Sequence, residues 1–438
     1  MTTLYETANP YNSEITYYGA TAADRPVLKI EMDLSSTFPT QVLDIDYGGV
    51  LAYTTSSEYN PDDRYDGFVV FDDITSDVQS VEITRGKDAG SQIYEHFDAG
   101  TLALEISDST SKFLPDEPLS PYYPNVRPLR QVRVSANWSG STHVLFRGFV
   151  DRWDVQWEPK KQYALVKTTA TDATKLLANF DTEYTGADFD PSYERVEDML
   201  LDKSWPADFT DVETTNYFAQ LVEDTSDRRP LLPNLQEYEF TEQGALFISK
   251  EGRITWRNII SANPTNTTSP LYVFSDAGTP GYVPVSEIQF GISDDTLYNT
   301  ISITPTLGTE QVRSDSTSID QYRERALART DVPLTTDEAA DYLALFLLEK
   351  QGDTVSRIET VSTDPRISVH SAAVSLVADI LTPVNIIRTP PSGTTTTYKM
   401  FINGIRHSIT PDAWTTTFVT AYRIDDFSLS GPGVIVIP

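Results

Sequence analysis

Between Val78 and Phe180, apolar and polar positions alternate along short runs: VQSVEITRG, FDAGTLALEISD, RQVRVSANW, LFRGFVDRWDVQW and YALVKTTATDA. In TLALEIS, Leu102, Leu104 and Ile106 fall on one face; in QVRVSANW, Val132, Val134, Ala136 and Trp138 do the same. Side chains two apart on a strand point the same way, so each run offers an apolar face to one core. The connections are rich in turn formers: Asp98-Ala-Gly, the proline-studded Leu114–Pro128, and Trp138-Ser-Gly-Ser. The pattern predicts an antiparallel barrel or sandwich of roughly 100 residues.

The period then changes. Asp190-Pro191 has the form of an N-cap followed by proline at the first helical position, and Val196, Met199 and Leu200 recur at helical spacing. This helix is expected to end near Lys203-Ser204, before Trp205-Pro206. A second short helix is expected from about Leu235 to Thr241, terminated by Gly244. GALFISKEGRITWRN reads as a hairpin turning at Lys250-Glu-Gly252. Asn263–Pro284 is rich in Thr, Ser, Pro and Gly, as an exposed loop or junction would be. Strand period returns in SEIQFGIS and LYNTISITP. The best helical pattern runs from Thr335 to Gly352. Thr335 and Glu338 match a capping box, Ala339, Leu343, Phe346 and Leu347 form the stripe, and Gly352 takes the left-handed terminal place. SRIETVST, VSLVADIL, YKMFINGIRHSI and AWTTTFVTAYRI complete the strands. A weak echo links Phe146-Arg-Gly148-Phe149-Val-Asp151 with Phe401-Ile-Asn-Gly404-Ile405, offset by one residue.

These readings predict a mainly β (α+β) chain: two antiparallel β-barrel or sandwich domains with a small α/β module between them. The expected divisions are an N-terminal arm over residues 1–25 and a first β domain over 26–180, with an acidic insertion near 35–73. The inserted module covers 181–284. A second β domain with helix 336–351 covers 285–425, and a tail ending in an apolar run covers 426–438.

Composition narrows the function classes. An apolar fraction of 39% is enough to build cores. Lys and Arg number 33 against 64 Asp and Glu, a net charge of −31, which argues against a surface that grips nucleic acid through clustered cations. The absence of cysteine excludes disulfides, thiolate metal sites and cysteine nucleophiles. The first residues lack a basic region followed by an apolar run, and no membrane-spanning segment is expected.

Candidate chemistry is sparse. Asn60-Pro-Asp-Asp-Arg-Tyr-Asp-Gly67 invites a calcium reading, but Arg64 falls where a fifth-position oxygen is needed, so it reads as a solvated turn. His96, His143, His370 and His407 show no ligand spacing. Asp72/Asp73 and Asp294/Asp295 are adjacent, and neighbours on a strand face opposite sides, which counts against paired acid–base work. No nucleophile elbow or phosphate loop is present. Tyr122-Tyr123, between prolines, reads as a turn anchor rather than a contact point. The sequence therefore assigns no catalytic, cofactor-binding or metal residue and no cofactor.

Taken in order, PVLKIEM, VQSVEITRG, FDAGTLALEISDSTSKFLPD, SPYYPNVRPLRQVRV, LFRGFVDRW and TATDATKLLANF resemble the tail hub (tail-associated, minor tail) proteins of long-tailed phages, and so do RVEDMLLDKSWPAD, QGALFISKEGRITWRN and FINGIRHSITPDAWTTTFVTAYR. The resemblance covers about residues 26 to 425. Such hubs are similar to the central baseplate hub of contractile tails, in which two related barrels per chain let a homotrimer present a pseudo-sixfold ring. The resemblance implies a virion protein of the tail tip that closes the tail tube around the DNA exit channel. Its implied partners are the distal tail protein ring, the tape measure protein C-terminus and tail-tip fibre or spike proteins, with DNA passing without specific binding. Two features depart from the pattern. The segment Ser35 to Asp73 is longer and more acidic than expected, and an end near residue 438 leaves no room for a fibre, peptidase or lysozyme domain. The alternatives are a distal tail protein, a receptor- or glycan-binding module using exposed aromatics such as Trp138, Trp153 or Trp157, and, least supported, a wall hydrolase.

Overall fold

The computed structural model describes residues 25–35, 71–88, 96–157, 163–215, 218–224, 227–292, 294, 296–352 and 357–423. The arm, most of the acidic insertion with Asn60–Gly67, and the tail lie outside the described residues.

The first run of strands is β1 (Val27–Asp33), β2 (Phe71–Asp73), β3 (Val78–Gly86), β4 (Thr101–Asp108), β5 (Gln131–Trp138), β6 (Ser141–Trp157) and β7 (Ala164–Thr171). They pair antiparallel in the order β2-β1-β5-β6-β7-β4-β3. The alternation decides which side is buried: Leu102, Leu104, Ile106, Val132, Val134 and Ala136 join Leu28, Ile30 and Val81 in one core. Strand β6 is long enough to serve two neighbours. Its residues up to Phe149 pair with β5, and those from Phe149 onward pair with β7, with a bulge at Asp151.

The middle region follows as α1 (Thr174–Leu177), β8 (Asp181–Thr182), β9 (Asp190–Pro191), α2 (Ser192–Asp202), β10 (Thr210–Val212), β11 (Gln220–Leu221) and β12 (Arg229–Pro230). It continues through α3 (Leu231–Glu242), β13 (Ala245–Ile248), β14 (Ile254–Arg257) and α4 (Ile259–Ala262). Helix α2 begins one residue later than the sequence suggested, because Pro191 is itself the extended cap residue. Helix α3 starts earlier than expected and ends on Gln243, which holds the left-handed conformation (φ 50°) assigned to Gly244. The hairpin turns at Gly252 (φ 89°), as read, and β10 adds to it in parallel.

The last part contains β15 (Tyr272–Ser275), β16 (Val283–Pro284), β17 (Glu287–Gly291), β18 (Thr300–Pro305), β19 (Gln311–Ser314), α5 (Ser316–Tyr322) and β20 (Ala326–Val332). After these come α6 (Asp337–Gln351), β21 (Arg357–Thr363), α7 (Val369–Val377), β22 (Pro383–Arg388), β23 (Thr396–Ile409) and β24 (Trp414–Tyr422). The expected loop Asn263–Pro284 thus contains two short strands. The run VSLVADIL is not a strand: its first half ends α7, which is capped by the Ser368 hydroxyl accepting from Ser371 N–H. The α6 cap is Thr336, accepting from Ala339 N–H, rather than Thr335, and Gly352 is right-handed (φ −68°). In α6, Leu343, Phe346 and Leu347 share a core with Ile301, Ile303, Val332 and the middle region's Leu235 and Trp256.

Strand order reveals a recurrence. In chain order, β1 to β7 are matched by β15, β16, β17, β21, β22, β23 and β24. The latter pair as β16-β15-β22-β23-β24-β21-β17, the same arrangement as the first seven. The difference of direction lies in one strand: β15 runs parallel to both β22 and β16, whereas β1 is antiparallel to both β5 and β2. Both long hairpins carry a bulge, at Asp151 and at Asn403, so Phe149-Val150-Asp151-Arg152 matches Phe401-Ile402-Asn403-Gly404. The sequence echo is therefore in the right strands with a different offset. The two seven-strand units form one open sheet, not closed barrels: among the described residues its ends are not hydrogen-bonded to each other.

Candidate functional site at the joint of the two β units

The two units meet where β3 lies antiparallel to the second half of β23, pairing Gly86 with Gly404 and Val81 with Ile409. Two backbones approach closely there. A Cβ on Gly86 (φ 85°) would lie 2.4 Å from Asn403 O, and one on Gly404 would lie 2.4 Å from Lys87 O. Next to these glycines the buried Arg85 guanidinium reaches Asp379 (2.9 Å) and donates to Ile248 O (2.9 Å). Lys250, in the β13–β14 turn, donates to the C-terminal carbonyls of α7, Leu376 O and Val377 O, both at 2.7 Å. The middle region thus clamps the joint: its hairpin holds β3 through Arg85 and α7 through Lys250.

Burial at the joint favours the neutral forms of its titratable groups. His407 is buried, contacts Thr416 Oγ1 (3.0 Å) and is held neutral, its pKa pushed down to about 3 by burial and then by Arg85 and Lys250. Burial lowers Lys250 as well, against the pull of Asp379. Asp172 is pushed up to about 6 by burial, opposed by bonds from Thr174 and from Gly100 N–H (2.6 Å). Deeper in the middle region, Glu242 accepts from Phe218 N–H (2.7 Å), Ala219 N–H (2.8 Å), Ser192 Oγ (2.8 Å) and Ile259 N–H (3.4 Å). Burial raises it to about 7.

A cleft of about 430 Å³ opens beside the same hairpin, between β14 and the residues Asp379, Ile380 and Leu381. Two of its carboxylates are already engaged, Asp211 with Arg257 (2.6 Å) and Asp379 with Arg85. Among the described residues no cluster of three or more His, Asp or Glu side chains is arranged to hold a metal ion. No described helix is long and apolar enough to cross a membrane.

The residues weighed from sequence are dispersed. His96 contacts Glu239 (2.8 Å), His143 lies in β6, His370 in α7 and His407 in β23. Asp72 accepts from Leu34 N–H and Ser35 Oγ, while Asp73 accepts from Thr75, so the pair serves different partners. Asp294 pairs with Arg325 (2.6 Å), and Asp295 lies outside the described residues. Tyr122 packs against Phe113 under the turn, whereas Tyr123 is exposed. Trp138 and Trp153 pack on the first core, and Trp157 is exposed. Sequence reasoning missed Arg85, Lys250 and Asp379, which come together from distant positions; only the two glycines, each in a β run where a side chain is expected, gave a local signal.

Scans against protein-family models and curated proteins match nothing. Among solved structures, the chain is similar to a 43 kDa tail protein of prophage MuSo2 from Shewanella oneidensis. The identity is 13% and the TM-score 0.51, covering 81% of this chain and 96% of that one. It is also similar to a tail protein from Neisseria meningitidis MC58, at 10% identity and a TM-score of 0.52, covering 78% and 95%. At such identities the likeness speaks to architecture, and the chain shares the fold of these two proteins.

Proposed function

We propose that the chain is a structural protein of a bacteriophage tail, the hub of its tip or baseplate, and not an enzyme. The observation that carries this reading is the recurrence of one seven-strand arrangement twice in the chain. Three copies then present six similar units, and a threefold assembly can match a sixfold tube. The tail proteins that share the fold support the same setting. In this reading the homotrimer closes the tail tube around the DNA exit channel. It meets the distal tail protein ring, the tape measure protein C-terminus and a fibre or spike. The middle region, with β18–β20 and α6 in its core, is the division that packs outside the ring of β units.

The sheet face turned away from the cores suits a DNA path. It carries Thr84, Thr101 and Thr171 in one cross-strand row, and three of its cations are matched by carboxylates: Lys167 with Glu105, Arg152 with Asp154, Arg406 with Asp88. This wall is balanced rather than strongly acidic, and it offers phosphates no unmatched cation among these to bind. The deciding measurement is the mass of the assembly in solution or within tails. Three copies support the hub, six point to a distal tail ring, and a chain that stays monomeric with its tail partners present overturns both.

A further inference from the structure

The joint inside the chain has an uncovered counterpart at each end of the molecule. In the match of the two units, β17 takes the place of β3, and Arg152–Trp157 of β6 take the place of residues 404–409 of β23. Inside the chain, β3 covers 404–409 along the side opposite β24. Among the described residues nothing pairs with the corresponding side of β6 beyond Val150, and nothing pairs with the outer side of β17.

The exposed side chains follow the same correspondence. Ile405, His407 and Ile409 are at most 3% exposed in the covered joint, whereas their counterparts include Val155 at 38% and Trp157 at 53%. On the other edge Phe290 is 39% and Ile292 62% exposed. The sheet's remaining free ends are blunted, β2 by two aspartates and β16 by its two-residue length and Pro284. Among the described residues, β17 and the β6 overhang are the open edges of this sheet that carry exposed large apolar side chains.

Resting on the trimeric hub reading, we infer that β17 of one copy adds antiparallel to the β6 overhang of the next copy, repeating between chains the joint that β3 and β23 make within each chain. The partner is a second copy of this chain because the receiving edge matches, strand for strand, the edge that already receives β3. Carrying the internal register across places Gln289 opposite Gln156 and Gly291 opposite Asp154. Ile288, Phe290 and Ile292 then meet Trp157, Val155 and Trp153 on the core side. The contact is heterologous, edge to a different edge, so it propagates and closes into a ring at the copy number the geometry sets. The sheet becomes continuous around the axis.

The absence of cysteine makes a direct test available. Chains carrying both Gln156→Cys and Gln289→Cys are purified as the assembly and oxidised, since directly opposed strand residues lie within disulfide range. The expected result is a covalent species of three chain masses on denaturing electrophoresis, with either single variant staying at one. Pairing Gln156→Cys with Ile288→Cys, one residue out of register and on the other face, is expected to give none. An assembly of three by mass with no cross-link overturns the edge pairing and leaves the hub standing; a chain that does not assemble overturns both. A second readout uses the unaltered protein. Backbone amides of residues 152–157 and 287–291 should be at least tenfold more slowly exchanging in the assembly than in dissociated chains, and equal exchange overturns the pairing whatever the cysteine variants do.

Discussion

The same strand junction occurs in two states in this molecule. Where β3 meets residues 404–409 it is complete: Ile405 and Ile409 are buried, His407 is neutral and bonded, and the β13–β14 hairpin braces it through Arg85 and Lys250. Where Arg152–Trp157 and β17 stand at the outer edges, Val155, Trp157, Phe290 and Ile292 are exposed. Strand topology is equal in the two places. At the covered joint the complementary edge belongs to the same chain, whereas no described strand supplies one at the outer edges, and burial, not backbone arrangement, separates the two.

The largest expected effect breaks the completed junction. Gly86→Val adds a Cβ into Asn403 O at 2.4 Å and forces a β-branched residue to φ 85°. It should cost about 3 kcal/mol or more of protomer stability, seen as a lower midpoint in urea unfolding. An unchanged midpoint would mean that the two units are held by the middle region alone. Next comes a matched pair of substitutions. Ile409→Ala removes a side chain that is 1% exposed and should cost about 2–4 kcal/mol. Trp157→Ala, at its counterpart, should change protomer stability by less than about 0.5 kcal/mol, because the larger side chain has little to lose. Equal costs at the two positions would erase the distinction.

How much of this could be read from sequence depends on the range of the interactions. Alternation in TLALEIS and QVRVSANW gave the buried face directly, since period two is a local property. VSLVADIL misled because a short apolar run fits a buried helix as well as a strand, and the deciding group, Ser368, lies outside it. Thr335 misled by one position and Gly352 by its conformation, where cap geometry and not residue type decides. The recurrence survived in sequence only as a faint echo, because β18–β20 and α6 interrupt the second unit and β15 reverses direction. The joint was illegible for a simpler reason. Arg85, Ile248 and Asp379 come from three distant segments, and ion pairs carry no sequence spacing unless they lie on one element.

The brace can be tested through pH. Glu242 sits at the end of α3, just before the hairpin that clamps the joint, and burial raises its pKa from 4.5 to about 7. The folded chain therefore binds that proton more tightly than the unfolded chain does. Its contribution to stability is fullest below about pH 4.5 and is lost as pH rises through 7. Lys350 acts over a different window: lowered by burial from 10.5 to about 7, it makes the fold gain stability as pH rises from 7 to 10.5. Subtracting the unfolding profile of Glu242→Gln from that of the unaltered protein isolates the carboxyl group. The difference should fall by up to about 3 kcal/mol between pH 4.5 and 7. A flat difference would mean that the four donors around Glu242 offset its burial.

The smallest effect is expected on the outward face of the sheet, where β4 and β7 of the first unit carry the Glu105–Lys167 pair (2.6 Å), both side chains more than 40% exposed. Water screens such a pair, and holding two long side chains in one geometry costs entropy. Lys167→Ala should shift stability by no more than about 0.5 kcal/mol, with most of the shift gone in high salt. A double-mutant cycle with Glu105→Ala measures the coupling itself. A coupling above about 1 kcal/mol would show that this face works as a structural contact like the completed junction, and that it is not the screened, charge-matched wall proposed as a DNA path.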